Sequence, residues 1–183
     1  MSPTATEQYV EILTRLKSGD LGLLRTHAGQ SLDESVRGFD LFAGLWWPLQ
    51  NKSQSAPRRE VAWLVAKLYA VSPISHSPGD TLARQMRRCQ PAVNWERFRQ
   101  KFDRMLTLPL NKIEPELRWA LTLVASKNLK LDWVKLTNDI SIWEREATRL
   151  RWAEQFLETI EGGSHVDRDS HDPEPQPVQS EQG

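Results

Sequence analysis

The stretch NWERFRQKFDRML at residues 94–106 decides the fold class of this chain. Trp95, Phe98 and Phe102 recur three or four residues apart, the spacing that places side chains on one face of an α-helix. Asn94 stands before them at the N-cap position. The opposite face carries the three bases Arg97, Lys101 and Arg104. The stretch therefore predicts a surface helix with one buried side and one basic side.

The same helical spacing continues on both sides of this stretch, with Pro, Gly, Ser and Asp at the breaks. Nine helices are predicted, at about residues 6–17, 21–25, 33–47, 57–71, 80–89, 94–106, 115–128, 132–143 and 146–160. No segment shows the β-branched alternation of a strand hairpin. The expected fold class is all-α.

Pro91 divides these helices into two small bundles, residues 1–91 and 92–160, in one compact, elongated chain. The remaining segment, residues 161–183, is poor in apolar side chains: its part 167–183 has one aliphatic residue and no aromatic one. Such a segment buries too little apolar surface to offset its ordering entropy. Residues 161–183 are therefore expected to form a disordered acidic tail.

The formal net charge of zero hides an uneven distribution of charge. Residues 161–183 carry six acids and one base, whereas residues 1–160 carry 23 bases and 18 acids. The excess is concentrated in residues 52–104, where eleven bases face four acids. A basic body predicts an anionic partner.

Catalytic and ligand-binding signatures are missing from the sequence. It has no glycine-rich phosphate loop, no dinucleotide fingerprint and no nucleophile elbow, and its four histidines lack metal-ligand spacing. Cys89, the single cysteine, falls on an inward-facing helical stripe and is predicted to be a buried structural thiol. We expect no enzymatic activity, metal, cofactor or small-molecule ligand.

Two further features bear on the location of the protein. No apolar run approaches the roughly 20 residues that a membrane span requires. The N-terminus MSPTATEQYVEILTRL lacks the pattern of a secretory signal. A cytoplasmic protein without membrane contact is expected.

Eight tryptophans are a large number for this length, and two roles compete for them. Six lie on predicted core stripes and are expected to pack inside: Trp46, Trp63, Trp95, Trp133, Trp143 and Trp152. Trp47 and Trp119 remain candidates for surface contacts, for example by stacking on nucleic-acid bases.

Arginines are the main signal for function. Most bases of the body are arginine, which pairs bidentately with phosphate. Arg58 and Arg59 stand at the start of a predicted helix, where the positive end of the helix dipole adds to the attraction for anions. No helix-turn-helix, RNA-recognition or zinc-finger motif accompanies them. The pattern indicates binding to a nucleic-acid backbone without base reading.

Several stretches resemble the CasB family, the small subunit of the type I-E CRISPR effector complex called Cascade. The most specific are GDLGLLR at 19–25, LARQMRR at 82–88, and LDW at 131–133 followed by Trp143. Longer matching segments run in order over most of the body: 16–29, 56–73, 81–89, 96–108, 115–143 and 149–158.

The resemblance implies an all-helical, non-catalytic protein of two small bundles, present as two copies in a complex with the other Cascade subunits and their guide RNA. It also implies that the protein holds the displaced, non-target DNA strand as a single strand and so stabilises the R-loop. R-loop formation replaces a DNA duplex by an RNA–DNA duplex of similar stability. Neutralising the phosphates of the displaced strand releases counterions and so favours the R-loop.

The same resemblance implies which residues contact nucleic acid. The positions that match the family pattern are Arg25, Arg58, Arg84, Arg118, Arg145, Arg149 and Arg151. Local charge adds three candidates: Lys52, Arg59 and Arg88. Thr26 and Trp119 depart from the family pattern, which has a second base at each place.

The sequence is also compatible with a protein of another class. The helices of a purely structural adaptor would bridge other protein subunits, and its arginines would pair with acids of those partners. Salt dependence of single-strand binding separates the two hypotheses, because only phosphate binding releases counterions.

Overall fold

A computed structural model of the chain describes residues 2–32, 42–46 and 57–158. Within these ranges the structure is helical and has no strand, apart from an isolated bridge between His76 and Leu131. The predicted all-α class is confirmed. Lys52, Trp47, most of the predicted helix 33–47 and the predicted tail 161–183 lie outside the described residues.

The described part contains eight α-helices whose bounds are defined, a short 3₁₀-helix and a helical segment at residues 42–46. The α-helices are α1 (Ala5–Thr14), α2 (Ser18–Thr26), α3 (Arg59–Val71), α4 (Leu82–Arg88), α5 (Trp95–Thr107), α6 (Glu114–Ser126), α7 (Trp133–Ser141) and α8 (Glu146–Leu157). The 3₁₀-helix, Leu110–Lys112, connects α5 to α6. None of the helices described is both long and apolar enough to cross a bilayer.

Helix starts follow the sequence signals at α1 and α7. The Thr4 hydroxyl accepts the Glu7 N–H and the Glu7 carboxylate accepts the Thr4 N–H, a capping box that satisfies two helix-end donors. Asp132 accepts the Lys135 N–H and caps α7, at the residue where the sequence predicts that the helix 132–143 begins. The helix predicted at 80–89 with Asp80 as its cap begins later, at Leu82: the N-cap residue of α4 is Thr81, whose side chain makes no capping bond.

The long central helix α3 organises the core. Its residues from Val61 to Ala70 are all buried, and it packs against α2, α6 and α7. The shorter α4 packs against α6 and α8, and α5 packs against the same two helices. One continuous cluster of buried apolar side chains joins the helices before Pro91 to those after it. The division into two bundles at this proline stays a prediction.

Five of the six tryptophans predicted to lie in the core are buried, and Trp95 is half-buried. Burying an indole ring removes roughly 150–250 Å² from water, which contributes about 4–6 kcal/mol at the usual area coefficient. The ring N–H then needs an acceptor. Trp133 donates to the Ile74 carbonyl at 2.8 Å, and Trp143 to the Leu108 carbonyl at 2.9 Å. Each hydrogen bond holds the loop that carries the acceptor carbonyl against a core tryptophan.

Candidate nucleic-acid interface

Three predicted arginines meet around the turn between α7 and α8; we name Arg58, Arg145 and Arg149 the turn group. Arg58 immediately precedes α3, and its Nη2 donates to the carbonyl of Ser141, the last residue of α7, at 3.4 Å. Arg145 immediately precedes α8. Arg149 lies one helical turn further, so its side chain projects on the same side of α8 as Arg145.

The charges of the turn group are not neutralised by carboxylates of the described residues. None of the three guanidinium groups takes part in the ion pairs formed within that part of the chain. Two of them donate to carbonyls instead, Arg58 to Ser141 and Arg149 to Leu106, the latter through Nη1 at 3.5 Å. The buried Nε of Arg149 has no partner. The helix N-termini behind Arg58 and Arg145 add partial positive charge. This arrangement attracts an anion.

Two other predicted residues, Arg84 and Arg88, form what we name the α4 group, and both are already paired with acids. Arg84 donates to the Glu158 carboxylate through Nε at 2.9 Å and through Nη2 at 3.3 Å. These hydrogen bonds hold the pKa of Glu158 below its usual value and raise the pKa of Arg84. Arg88 Nη1 lies 3.7 Å from the Asp80 carboxylate. The α4 group therefore offers less uncompensated charge than the turn group.

Arg151 has a structural role in joining α7 to α8. Its Nη2 donates at 2.6 Å to Asp139, a carboxylate that is buried between the two helices. The same carboxylate accepts Lys135 Nζ at 2.6 Å and Trp152 Nε1 at 2.8 Å. A buried charge needs such partners, because leaving it unpaired costs several kcal/mol. No sequence motif marks Asp139, although it falls on the same helical stripe as Leu136 and Ile140.

The other predicted positions have contacts different from those of the turn group. Arg25 donates through Nε to the Ala70 carbonyl at 2.8 Å, near the end of α3 that is opposite Arg58. At 1.5 Å per residue, Arg58 and Ala70 lie about 18 Å apart along the axis of α3. Arg59 lies 3.7 Å from Glu60. Arg118, on α6, is half-buried and its Nε has no partner.

Trp119 is half-buried rather than free on the surface. Its ring contacts the edge of Phe98, with 5.6 Å between the ring centroids. The ammonium of Lys101 lies 4.4 Å from the ring centroid and 3.8 Å from Glu116. Because these neighbours occupy the ring, Trp119 is not an open stacking platform in this conformation.

The described side chains of the types that often bind metals or react as nucleophiles take part in packing and hydrogen bonding. Within the described ranges, no group of three His, Cys, Asp or Glu side chains is arranged to hold a metal ion. Cys89 is buried, as predicted, and burial raises the pKa of its thiol. The ring nitrogen Nδ1 of His76 accepts the Trp133 N–H at 3.2 Å.

The chain also matches a known family of proteins. The family model of CRISPR-associated protein Cse2 matches residues 20–157, which is most of the chain. The chain belongs to the Cse2 family. The resemblance to the CasB family in the sequence is thereby confirmed. Cse2 proteins are structural subunits of the CRISPR effector complex Cascade, so the other Cascade subunits are partners of this chain.

Solved structures of Cse2 proteins share the fold. CasB from Thermus thermophilus is 25% identical, with a TM-score of 0.66 over 85% of this chain and 98% of that one. M. ruber CasB is 22% identical, with a TM-score of 0.67 over 85% and 93% of the two chains. CasB from Thermobifida fusca is 18% identical, with a TM-score of 0.63 over 83% and 94%. A comparison with curated proteins gave no significant match.

Proposed function

We propose that this Cse2 protein binds the displaced, non-target DNA strand through its phosphates and so stabilises the R-loop of a type I-E Cascade complex. It acts without catalysis and beside a second copy of itself. The observation that carries the proposal is the turn group, in which three arginines lie around the α7–α8 turn with no carboxylate partner among the described residues. Guanidinium groups bind phosphate oxygens strongly, and counterion release drives the association.

This binding has no sequence preference. The arginines of the turn group lie at helix starts and on one helix face, where they can contact phosphates, and the sequence has no motif for reading base edges. A protein that holds a displaced strand must accept any sequence, since the guide RNA supplies the specificity.

The proposal is tested by the salt dependence of single-strand binding. The full-length chain is titrated with a labelled single-stranded oligonucleotide at several salt concentrations. The logarithm of the affinity should fall linearly with the logarithm of salt concentration. R58E/R145E should lower the slope by about 1.4, because each lost single-strand phosphate contact contributes about 0.7. Absence of single-strand binding at low salt, both in the isolated chain and in the complex, would contradict the proposal.

A structural adaptor is the second candidate, and one observation favours it. Leu150 and Leu157 are exposed, by 55% and 60%, on the outward side of α8. The two leucines are two helical turns apart on one face of α8, where another subunit could cover both. If the adaptor hypothesis holds, L150S/L157S impairs assembly of the complex while R58E/R145E leaves R-loop formation unchanged. If strand binding is the function, R58E/R145E reduces R-loop formation in complexes that assemble normally.

A further inference from the structure

A second row of bases lies on α5 next to the turn group; we name Arg97, Lys101 and Arg104 the α5 row. At 100° per residue, the three side chains lie within an arc of about 60° around the helix axis. The two acids of α5, Glu96 and Asp103, leave it at least about 80° away from the row. This flank of α5 therefore carries three bases and no acid of its own helix.

The end residues of the row have unoccupied guanidinium groups. Arg97 and Arg104 are exposed, and neither takes part in the ion pairs of the described residues. Lys101 differs from them, because its ammonium lies over Trp119 and 3.8 Å from Glu116 of α6. Lys101 is thus fixed against the protein, while Arg97 and Arg104 face solvent.

Three contacts join the end of α5 and the segment that follows it to the region around the α7–α8 turn. Arg149 donates to the Leu106 carbonyl at 3.5 Å, and Trp143 donates to the Leu108 carbonyl at 2.9 Å. The Leu110 N–H donates to Glu144, the residue before Arg145, at 3.3 Å. Arg104 lies only two residues before Leu106. Arg97 lies about 10 Å further along the helix axis, so the row leads away from the turn group.

We propose that the α5 row continues the phosphate-binding surface of the turn group, so that one single DNA strand contacts both. This inference rests on the proposed function and adds the direction that the strand takes along the protein. Arg97 and Arg104 contact different phosphates, because about 10 Å along the helix is too far for one phosphate group to bridge.

The test compares R97E/R104E with a matched control, K127E/K130E, in the full-length chain. The control makes the same change of charge at two exposed lysines that follow the C-terminal end of α6. Affinity for single-stranded oligonucleotides of increasing length is measured at several salt concentrations. R97E/R104E should lower the salt slope by about 1.4 and the affinity at about 0.1 M salt roughly 25-fold. The affinity of this variant should also stop rising at a shorter oligonucleotide length than that of the wild type.

Each outcome decides between the alternatives. If K127E/K130E loses as much affinity as R97E/R104E, the effect is one of overall charge and the α5 row is not a binding surface. If R97E/R104E binds like the wild type while R58E/R145E does not, the α5 inference is wrong and the proposed function stands. If R58E/R145E also binds like the wild type, the proposed function fails. Circular dichroism checks the fold, and the neutral variant R97Q/R104Q replaces R97E/R104E if that variant does not fold.

Discussion

The turn group and the α4 group contain the same residue type with opposite surroundings. Arg145 lies at a helix N-terminus without a carboxylate partner in the described part of the chain, whereas Arg84 makes two hydrogen bonds to Glu158. A phosphate that binds Arg84 must replace a carboxylate, and one that binds Arg145 replaces only water and counterions. Exposure of an arginine is therefore a weaker indicator of phosphate binding than the absence of an acidic partner.

The largest expected effect is a difference in R-loop formation between charge reversal in the turn group and charge reversal in the α4 group. R58E/R145E should reduce R-loop formation by an assembled complex roughly 25-fold at about 0.1 M salt, since two phosphate contacts are lost. R84E/R88E makes the same change of charge and should reduce it only a few-fold. Both are measured by R-loop formation, with subunit composition as the control for assembly. Equal losses would show that acidic partners do not separate the two groups.

A second expected effect concerns Asp139, which holds Arg151 in a structural role. D139A should lower the free energy of unfolding by about 3 kcal/mol, because it leaves two cations and an indole N–H without their acceptor. R151Q should lower the free energy of unfolding by less, because Asp139 keeps Lys135 and Trp152 as partners. Urea unfolding measures both variants. If R151Q destabilises the chain as much as D139A, the carboxylate is not the centre of this cluster.

The smallest expected effect tests the ion pair of the α4 group through its pH dependence. The pKa of Glu158 is lowered in the folded chain, so the pair stabilises the fold above the ordinary pKa of 4.5. This contribution disappears as the pH falls through the lowered folded-state pKa. E158Q should therefore be slightly less stable than the wild type near neutral pH and equally stable at a pH below the folded-state pKa.

The matched control for this prediction is E154Q, since Glu154 is exposed on α8 and forms no ion pair within the described ranges. It should not differ from the wild type at either pH. Added salt should shrink the E158Q difference, because exposed ion pairs are screened. A difference for E158Q that persists at acidic pH would contradict the role of its charge.

Much of the fold could be predicted from the sequence because helix formation is local. The spacing of Trp95, Phe98 and Phe102 specifies a helix with one buried face, and Asp132 specifies where α7 begins. The start of α4 was harder to predict, because Asp80 and Thr81 are both good capping residues and neither makes a capping bond. The packing of α4 against α6 and α8 joins residues that are far apart in sequence, which helical spacing does not encode.

The sequence by itself determined the helical class, the family and the arginines that deserve testing, because periodicity, motifs and charge are written along the chain. Only the tertiary structure decided which arginines have carboxylate partners. Arg84 meets Glu158 and Arg151 meets Asp139 across helix contacts. At the α7–α8 turn, Arg58 meets a carbonyl and Arg145 is exposed to solvent. Electrostatic interactions depend on distance in space, so the order of residues along the chain does not specify them.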